Sequence, residues 1–342
     1  MDSSKRILII GGAGFIGSNV AEFYAKKGNL VILFDNLQRN KTEKNVDWLK
    51  KTFPGMITFV LGNICKDREK LKGLMELVDV VFHLAGQVAV VTSVKEPLDD
   101  CHNNLLGTVH VLEAIRASKR RPILMFSSTN KVYGELEDVS VKELPTRYEY
   151  DGLPQGVSEK QQLNFHSPYG CSKGAADQYV RDYARIYGLK TVVFRQSCIY
   201  GYRQFGAEEQ GWIAWFIIAT ILNKPITVFG DGKQMRDILF IDDLCEAYDA
   251  AIRNIENTSG NIYNIGGGQK NTLSILELLK ILGNIFQKEI PTQFADWRPG
   301  DQKVFVCDIT KADRVFGWKP QTTPEEGIRK LVSWVEKNKD IF

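Results

Sequence analysis

Residues 5–17, KRILIIGGAGFIG, run from an aliphatic segment through glycines 11, 12, 14 and 17 into a second apolar segment. Four consecutive aliphatic residues at 7–10 suit a strand covered on both faces. Downstream, Phe15–Lys27 carries apolar residues at helical spacing. Glycines at 11, 14 and 17 permit a tight turn, close approach of a pyrophosphate and close helix–strand packing. The helix start, with Phe15 and Ile16, offers unpaired N–H donors to phosphate oxygens. A glycine triplet alone is weak evidence, since plain βα turns are common; its place between strand and helix makes it a dinucleotide signal.

The same texture continues outward. Lys5–Ile10, Leu30–Phe34, Ile57–Leu61, Val78–Leu84, Pro122–Ser127 and Thr191–Arg195 each read as a short buried strand, and Asn104–Ser118 as a helix. Continuous apolar strands separated by helices predict an α/β fold, a Rossmann-type doubly wound parallel sheet. From about Tyr202 the pattern changes to Gly- and Gln-rich loops, a long apolar stretch at Trp212–Leu222, and short strands near Ile226–Phe229 and Asn261–Ile265. Residues 1–200 are therefore expected to form the dinucleotide-binding domain. Residues 201–342 are expected to supply most of a smaller α/β substrate lobe, with the segments interleaved.

Asp35 ends the strand LVILFD, 18 residues after Gly17 (35 − 17). A carboxylate there accepts the ribose hydroxyls and repels a 2′-phosphate, which favours NAD over NADP. Arg39 lies close enough to offset part of that repulsion. Asn36 beside Asp35, Asn63-Ile64, and Leu84-Ala85-Gly86-Gln87 close the second, third and fourth strands at the carboxyl edge, where doubly wound sheets bind ligands. The small Ala85-Gly86 pair would let backbone approach the dinucleotide.

Tyr169 and Lys173 stand four residues apart, on one helical face, after a Ser167-Pro168 helix start. A phenol of pKa about 10 is a poor base at neutral pH. A nearby ammonium, with a positively charged nicotinamide, favours the phenolate. Ser127, Ser128 and Thr129 end another strand, and a hydroxyl there can bond the substrate oxygen whose proton Tyr169 takes. Cys171 lies off the Tyr/Lys face and is assigned to packing. His166 reads as a helix-entry residue, and Lys131 as either solvated or reaching the site.

Composition sets the outer limits. The 342 residues carry 44 Lys+Arg against 41 Asp+Glu, a net charge of +3, with no basic block for a nucleic acid. Trp212–Leu222 falls short of the ~20 apolar residues that span a bilayer. The four-residue apolar run near the start is too short for a signal-peptide core. Six scattered cysteines lack metal or disulfide spacing, so no metal is expected and a cytoplasmic location is.

The ordered set GGAGFIG, Asp35, HLAGQ, NNLLGT, SST, YGCSK and RPGDQ resembles the extended short-chain dehydrogenase/reductase family of nucleotide-sugar enzymes, over essentially the whole chain. The resemblance implies that Thr129, Tyr169 and Lys173 are the catalytic triad and that NAD is the cofactor. It also implies that Asn104 supports the cofactor region, Arg236 and Arg298 bind a pyrophosphate, and Phe229 packs near a pyrimidine. Surface salt bridges with Asp237 and Asp301 are the alternative for the two arginines. Segments 127–134, 195–201 and 203–216 look most like the family's 2-epimerases of CDP-linked dideoxyhexoses. A homo-oligomer, dimer or tetramer, is expected. The alternatives are a UDP- or CDP-sugar 4-epimerase and a catalytically idle NAD-binding protein. Dehydratases of the family place acidic residues directly after the strand-end threonine; Asn130-Lys131 stand here, which disfavours elimination.

Overall fold

A computed structural model describes residues 4–208, 210–298 and 301–342. The chain divides into two compact units. The first comprises the chain up to Val132, Ser167–Arg195 and Cys245–Tyr263; the second comprises Tyr133–His166, Gln196–Leu244 and Asn264–Phe342.

The first unit is built on β1 (Arg6–Ile10), β2 (Leu30–Asp35), β3 (Ile57–Leu61), β4 (Val80–His83) and β5 (Ile123–Thr129). Strands from Thr191–Gln196 and Asn261–Ile265 extend this sheet beyond β5, and β3 lies at its other edge. Pairs β1/β2, β2/β3, β1/β4 and β4/β5 are all parallel, with Ile9 opposite Leu33 and Phe82. Parallel strands need covered crossovers, and burial follows: Ile7, Leu8, Ile9 and Ile10 are completely buried. Each such side chain contributes roughly 1.5–3 kcal/mol by leaving water. From β1 the chain runs outward through β2 and β3, then returns to place β4 and β5 on the opposite side. That reversal makes the carboxyl ends of β1 and β4 the switch point, where such sheets hold ligands.

Strand ends differ from the sequence expectation by one or two residues. β5 continues through Thr129 rather than stopping at Ser127, because Ser128 and Thr129 are themselves buried. The helix expected from Asn104 to Ser118 is Gly107–Ala117, preceded by a π-helical turn at His102–Leu106. Hydrogen bonding from the Asn104 side chain accompanies that widened turn, a feature common at functional sites.

In the second unit, Met235–Phe240 runs parallel to Cys198–Tyr200 and Val304–Phe305 and antiparallel to Thr272–Ser274. Ile226–Phe229 pairs in parallel with Thr292–Ala295. The apolar stretch forms a helix, Trp212–Ile221, whose Ile213, Ala214, Phe216, Ile217 and Ile218 are buried, as an apolar circumference requires. No helix among the described residues is long and apolar enough to cross a membrane.

Candidate active site

The glycine turn opens the first-unit site. Gly11 has φ +83°, and a Cβ there would lie 2.6 Å from the Ala85 amide nitrogen. A Cβ on Gly17 would overlap the Gly11 carbonyl. These two glycines thus let β1, the β4 loop and helix α1 (Phe15–Lys26) pack together. Gly14 is different: its Cβ position meets only the Gly11 oxygen, at 3.3 Å. Gly14, the N-cap of α1, offers no side-chain acceptor to the first N–H groups of the helix. An open cradle under an uncapped helix N-terminus fits a dinucleotide pyrophosphate.

Asp35 accepts N–H bonds from Ala13 at 3.1 Å and Leu37 at 2.9 Å, which fixes the strand end against the glycine turn. Burial raises its pKa, and those amides and Arg39 counter the rise. Asn36 is exposed and bonds within its own turn to Gln38. Asn63 serves as a local acceptor for the Cys65 amide. Ile64 is a core residue packed beside Gly107.

A Cβ on Gly86 would lie 2.7 Å from Asn104 Oδ1, so its small size makes room for that asparagine. Asn104 accepts the Gln87 N–H at 2.9 Å and donates to the Gln87 carbonyl at 3.0 Å. It therefore locks the loop that follows β4.

Tyr169 and Lys173 occupy the first two turns of a helix spanning Ser167–Tyr187. Ser167 Oγ accepts the Gly170 N–H at 3.2 Å, holding the helix start. Both side chains are buried on that helix, together with Ser172 and Asp177, whereas Cys171 is exposed. Thr129, from the end of β5, hydrogen-bonds the Tyr169 phenol in the sense that favours phenolate. Lys173 Nζ donates to the Ser127 carbonyl at 2.6 Å and lies 4.5 Å from the centre of the Phe126 ring. Ser127, Thr129, Tyr169 and Lys173 are thus brought together.

The electrostatics differ from the sequence expectation. Burial raises the Tyr169 pKa; Thr129 and Arg39 lower it, while the Lys173 ammonium is engaged by the Ser127 carbonyl. Burial pushes Lys173 down to about 8, opposed by Asp177 and Asp100. Ser128 does not face outward as a free hydroxyl. It donates to Asp177 at 2.8 Å, and Asp177 also receives Arg195 Nε at 2.9 Å and Nη2 at 3.0 Å.

Sequence reading missed His83, Asp100, Asp177 and Arg195. His83 is buried, bonds Thr108 at 2.9 Å, and is held neutral by burial, its pKa near 3. The only sequence cue for Asp177 was its place one turn beyond Lys173, on the same helical face.

The second unit holds Phe229, Arg236 and Arg298. The Arg298 guanidinium lies 3.6 Å from the centre of the Phe229 ring and donates to the Glu208 carbonyl at 2.9 Å. Arg236 donates to the Met235 carbonyl at 2.9 Å. Asp237 points inward to Ser197, Cys307 and the Gly268 amide, and burial raises it to about 6. The salt-bridge alternative is therefore not realised: neither arginine pairs with a carboxylate among the described residues. His166 faces Glu135 at 3.4 Å within the same unit.

Residues 8–331 match the GDP-mannose 4,6-dehydratase family model. The chain is 44% identical to CDP-paratose 2-epimerase of Salmonella typhi, over 96% of this chain and 98% of that one. The crystal structure of UDP-glucose 4-epimerase from Thermotoga maritima with UDP-glucose superimposes with TM-score 0.81 at 32% identity, covering 98% and 99% of the chains. That of UDP-glucuronic acid 4-epimerase from Bacillus cereus, in complex with UDP-glucuronic acid and NAD, gives 0.83 at 28%, covering 97% and 99%.

Proposed function

This chain belongs to the GDP-mannose 4,6-dehydratase family, within the extended short-chain dehydrogenases/reductases of nucleotide sugars, and we propose that it is an NAD-dependent 2-epimerase interconverting CDP-paratose and CDP-tyvelose. The observation that carries the proposal is the buried Thr129–Tyr169–Lys173 set, in a chain similar from end to end to a CDP-paratose 2-epimerase. NAD, held by the glycine turn and Asp35, supplies when bound a hydride acceptor that gives the same hydride back.

The substrate's chemistry selects the oxidised carbon. A C2 hydrogen becomes acidic only beside a carbonyl at C1 or C3. C1 carries the glycosyl phosphate, and C3 is deoxygenated in paratose. A ketone at C4 would acidify C3 and C5 instead. Direct oxidation at C2 is therefore the economical route. Tyr169 takes the C2 hydroxyl proton as the C–H bond breaks, and returns it after the ketone has presented its other face. Thr129 bonds the same substrate oxygen and, with Arg39, favours the phenolate, and Lys173 is assigned to holding NAD beside it.

Arg236 and Arg298 are assigned to the pyrophosphate and Phe229 to the cytosine, since guanidinium groups suit bidentate phosphate contacts. Charge-assisted bonds of this kind are worth about 1.5–3 kcal/mol. Arg236→Ala and Arg298→Ala should each weaken CDP binding by roughly tenfold to a hundredfold in calorimetric titration, with the NAD content unchanged. An unaltered CDP titration would remove that residue from the substrate site.

Six free cysteines suit a reducing cytoplasm. Tyr179, Ile186 and Tyr187, exposed along one side of the catalytic helix, suit a homo-oligomer, for which light scattering in solution is the test.

The deciding experiment has two arms. Denatured protein should release NAD in near-stoichiometric amount without a 2′-phosphate; NADP would contradict the role of Asp35. A panel of CDP- and UDP-sugars, analysed by NMR for epimers, should show inversion at C2 of CDP-paratose. Inversion at C4 of a hexose would instead support the 4-epimerase reading, which the similar 4-epimerase structures keep in view.

A further inference from the structure

Asp100 is a fully buried carboxylate in the first unit, on the short helix Pro97–Cys101. Its partners are all neutral. Oδ1 accepts the Gln87 side-chain amide at 2.9 Å and the Asn104 amide at 3.1 Å, and Oδ2 accepts the Ser172 hydroxyl. No cation pairs with it among the described residues. Asp177, the other acid that acts on Lys173, is met by both Nε and Nη2 of Arg195 and by Ser128. Its charge is therefore largely compensated at contact distance, whereas that of Asp100 is not. Burial raises the Asp100 pKa, and the three donors and the Lys173 charge counter the rise.

We propose that Asp100 is the positioning residue of the catalytic pair: it ties the Tyr169/Lys173 helix, through Ser172, to Gln87 and Asn104, and supplies the fixed negative charge against which Tyr169 and Lys173 titrate. The inference rests on the roles proposed above for those two residues. The charges around them are few. Tyr169 faces Thr129, Arg39 and Asp100; Lys173 faces Asp177, Asp100 and the Ser127 carbonyl. His83, across on β4, is neutral and adds no charge. A nearby anion disfavours phenolate and favours ammonium, so it raises both midpoints.

Removing that charge while keeping the shape should lower both. Asp100→Asn should move the Tyr169 midpoint down by on the order of one pH unit. The readout is the carbon-13 resonance of tyrosine Cζ in the NAD-loaded protein, with the Tyr169 signal assigned by its loss in Tyr169→Phe. Both limbs of the kcat/KM profile should shift in the same direction. Ser172→Ala, which loses one tie but keeps the charge, should leave the midpoints in place. A uniform rate loss in Asp100→Asn with unmoved midpoints, or an equal shift in Ser172→Ala, would overturn the proposal. If Asp100→Asn does not fold, Asp100→Ser carries the same test. If neither neutral variant folds but Asp100→Glu does, the residue is architectural and the proposal fails. Absence of turnover in the wild type would strike the 2-epimerase reading alone, because the Cζ titration needs no substrate.

Discussion

Tyr169→Phe is expected to lose on the order of 10²–10⁴ in kcat while folding normally and retaining NAD. The substitution removes a single oxygen. The ring stays in its pocket, where Tyr169 is 8% exposed, and its backbone N–H keeps the bond to Ser93 Oγ at 3.1 Å. What disappears is the acceptor for the substrate's hydroxyl proton, and Thr129 cannot replace it because an aliphatic hydroxyl is far too weakly acidic to be ionised here. Loss of the acid limb of the pH profile should accompany the loss of rate. The Lys173 ammonium is required as well, and it is lost as pH rises through about 8, where burial has brought its pKa. Lys173→Met, close in length but uncharged, should weaken NAD retention. Steady-state kinetics, released-nucleotide analysis and thermal melting together check these outcomes. A Tyr169→Phe enzyme near wild-type activity would show that the phenol is not the base.

The parts of this site that were legible in the sequence are those whose chemistry is set by local backbone. Gly11, Gly14 and Gly17 announce a turn because few other residues satisfy it, and Tyr169 and Lys173 announce a face because four residues make about one helical turn. Asp35 is legible because a strand end after a glycine turn has a fixed place in a doubly wound sheet. The illegible parts are contacts made by folding over long separations. Ser172 reaches Asp100 across 72 positions, and Ser128 reaches Asp177 across 49. Nothing in either local sequence marks those partners. The room that Gly86 leaves for Asn104 is illegible for a related reason: the two residues meet only once the chain has folded. The π-helical turn at His102–Leu106 is likewise a tertiary product, since Asn104 and Asp100 tie that segment to the Gln87 loop, and helical periodicity alone reads through it.

Deuterium at C2 of CDP-paratose is expected to be retained at C2 of the CDP-tyvelose product, and unlabelled substrate in heavy water is expected to gain none there. In the proposed route the C2 hydrogen leaves as hydride, the hydroxyl proton goes to Tyr169, and the same hydride returns to the opposite face of the same carbon. That hydrogen never becomes acidic and never meets water. Enolisation would instead release it as a proton, and a phenol bonded to a threonine hydroxyl exchanges freely with solvent, so the label would wash out. NMR of the product distinguishes the two directly. The labelled substrate should also turn over more slowly where hydride transfer limits the rate. Where repositioning of the ketone or product release limits it, the slowing vanishes while retention persists. Retention is consequently the stricter criterion, since it reports the path of the hydrogen whichever step is slow. Solvent deuterium at C2 would exclude direct oxidation at that carbon. Retention with inversion confined to C4 would preserve the Tyr169 chemistry and transfer the same redox cycle to the carbon used by a 4-epimerase.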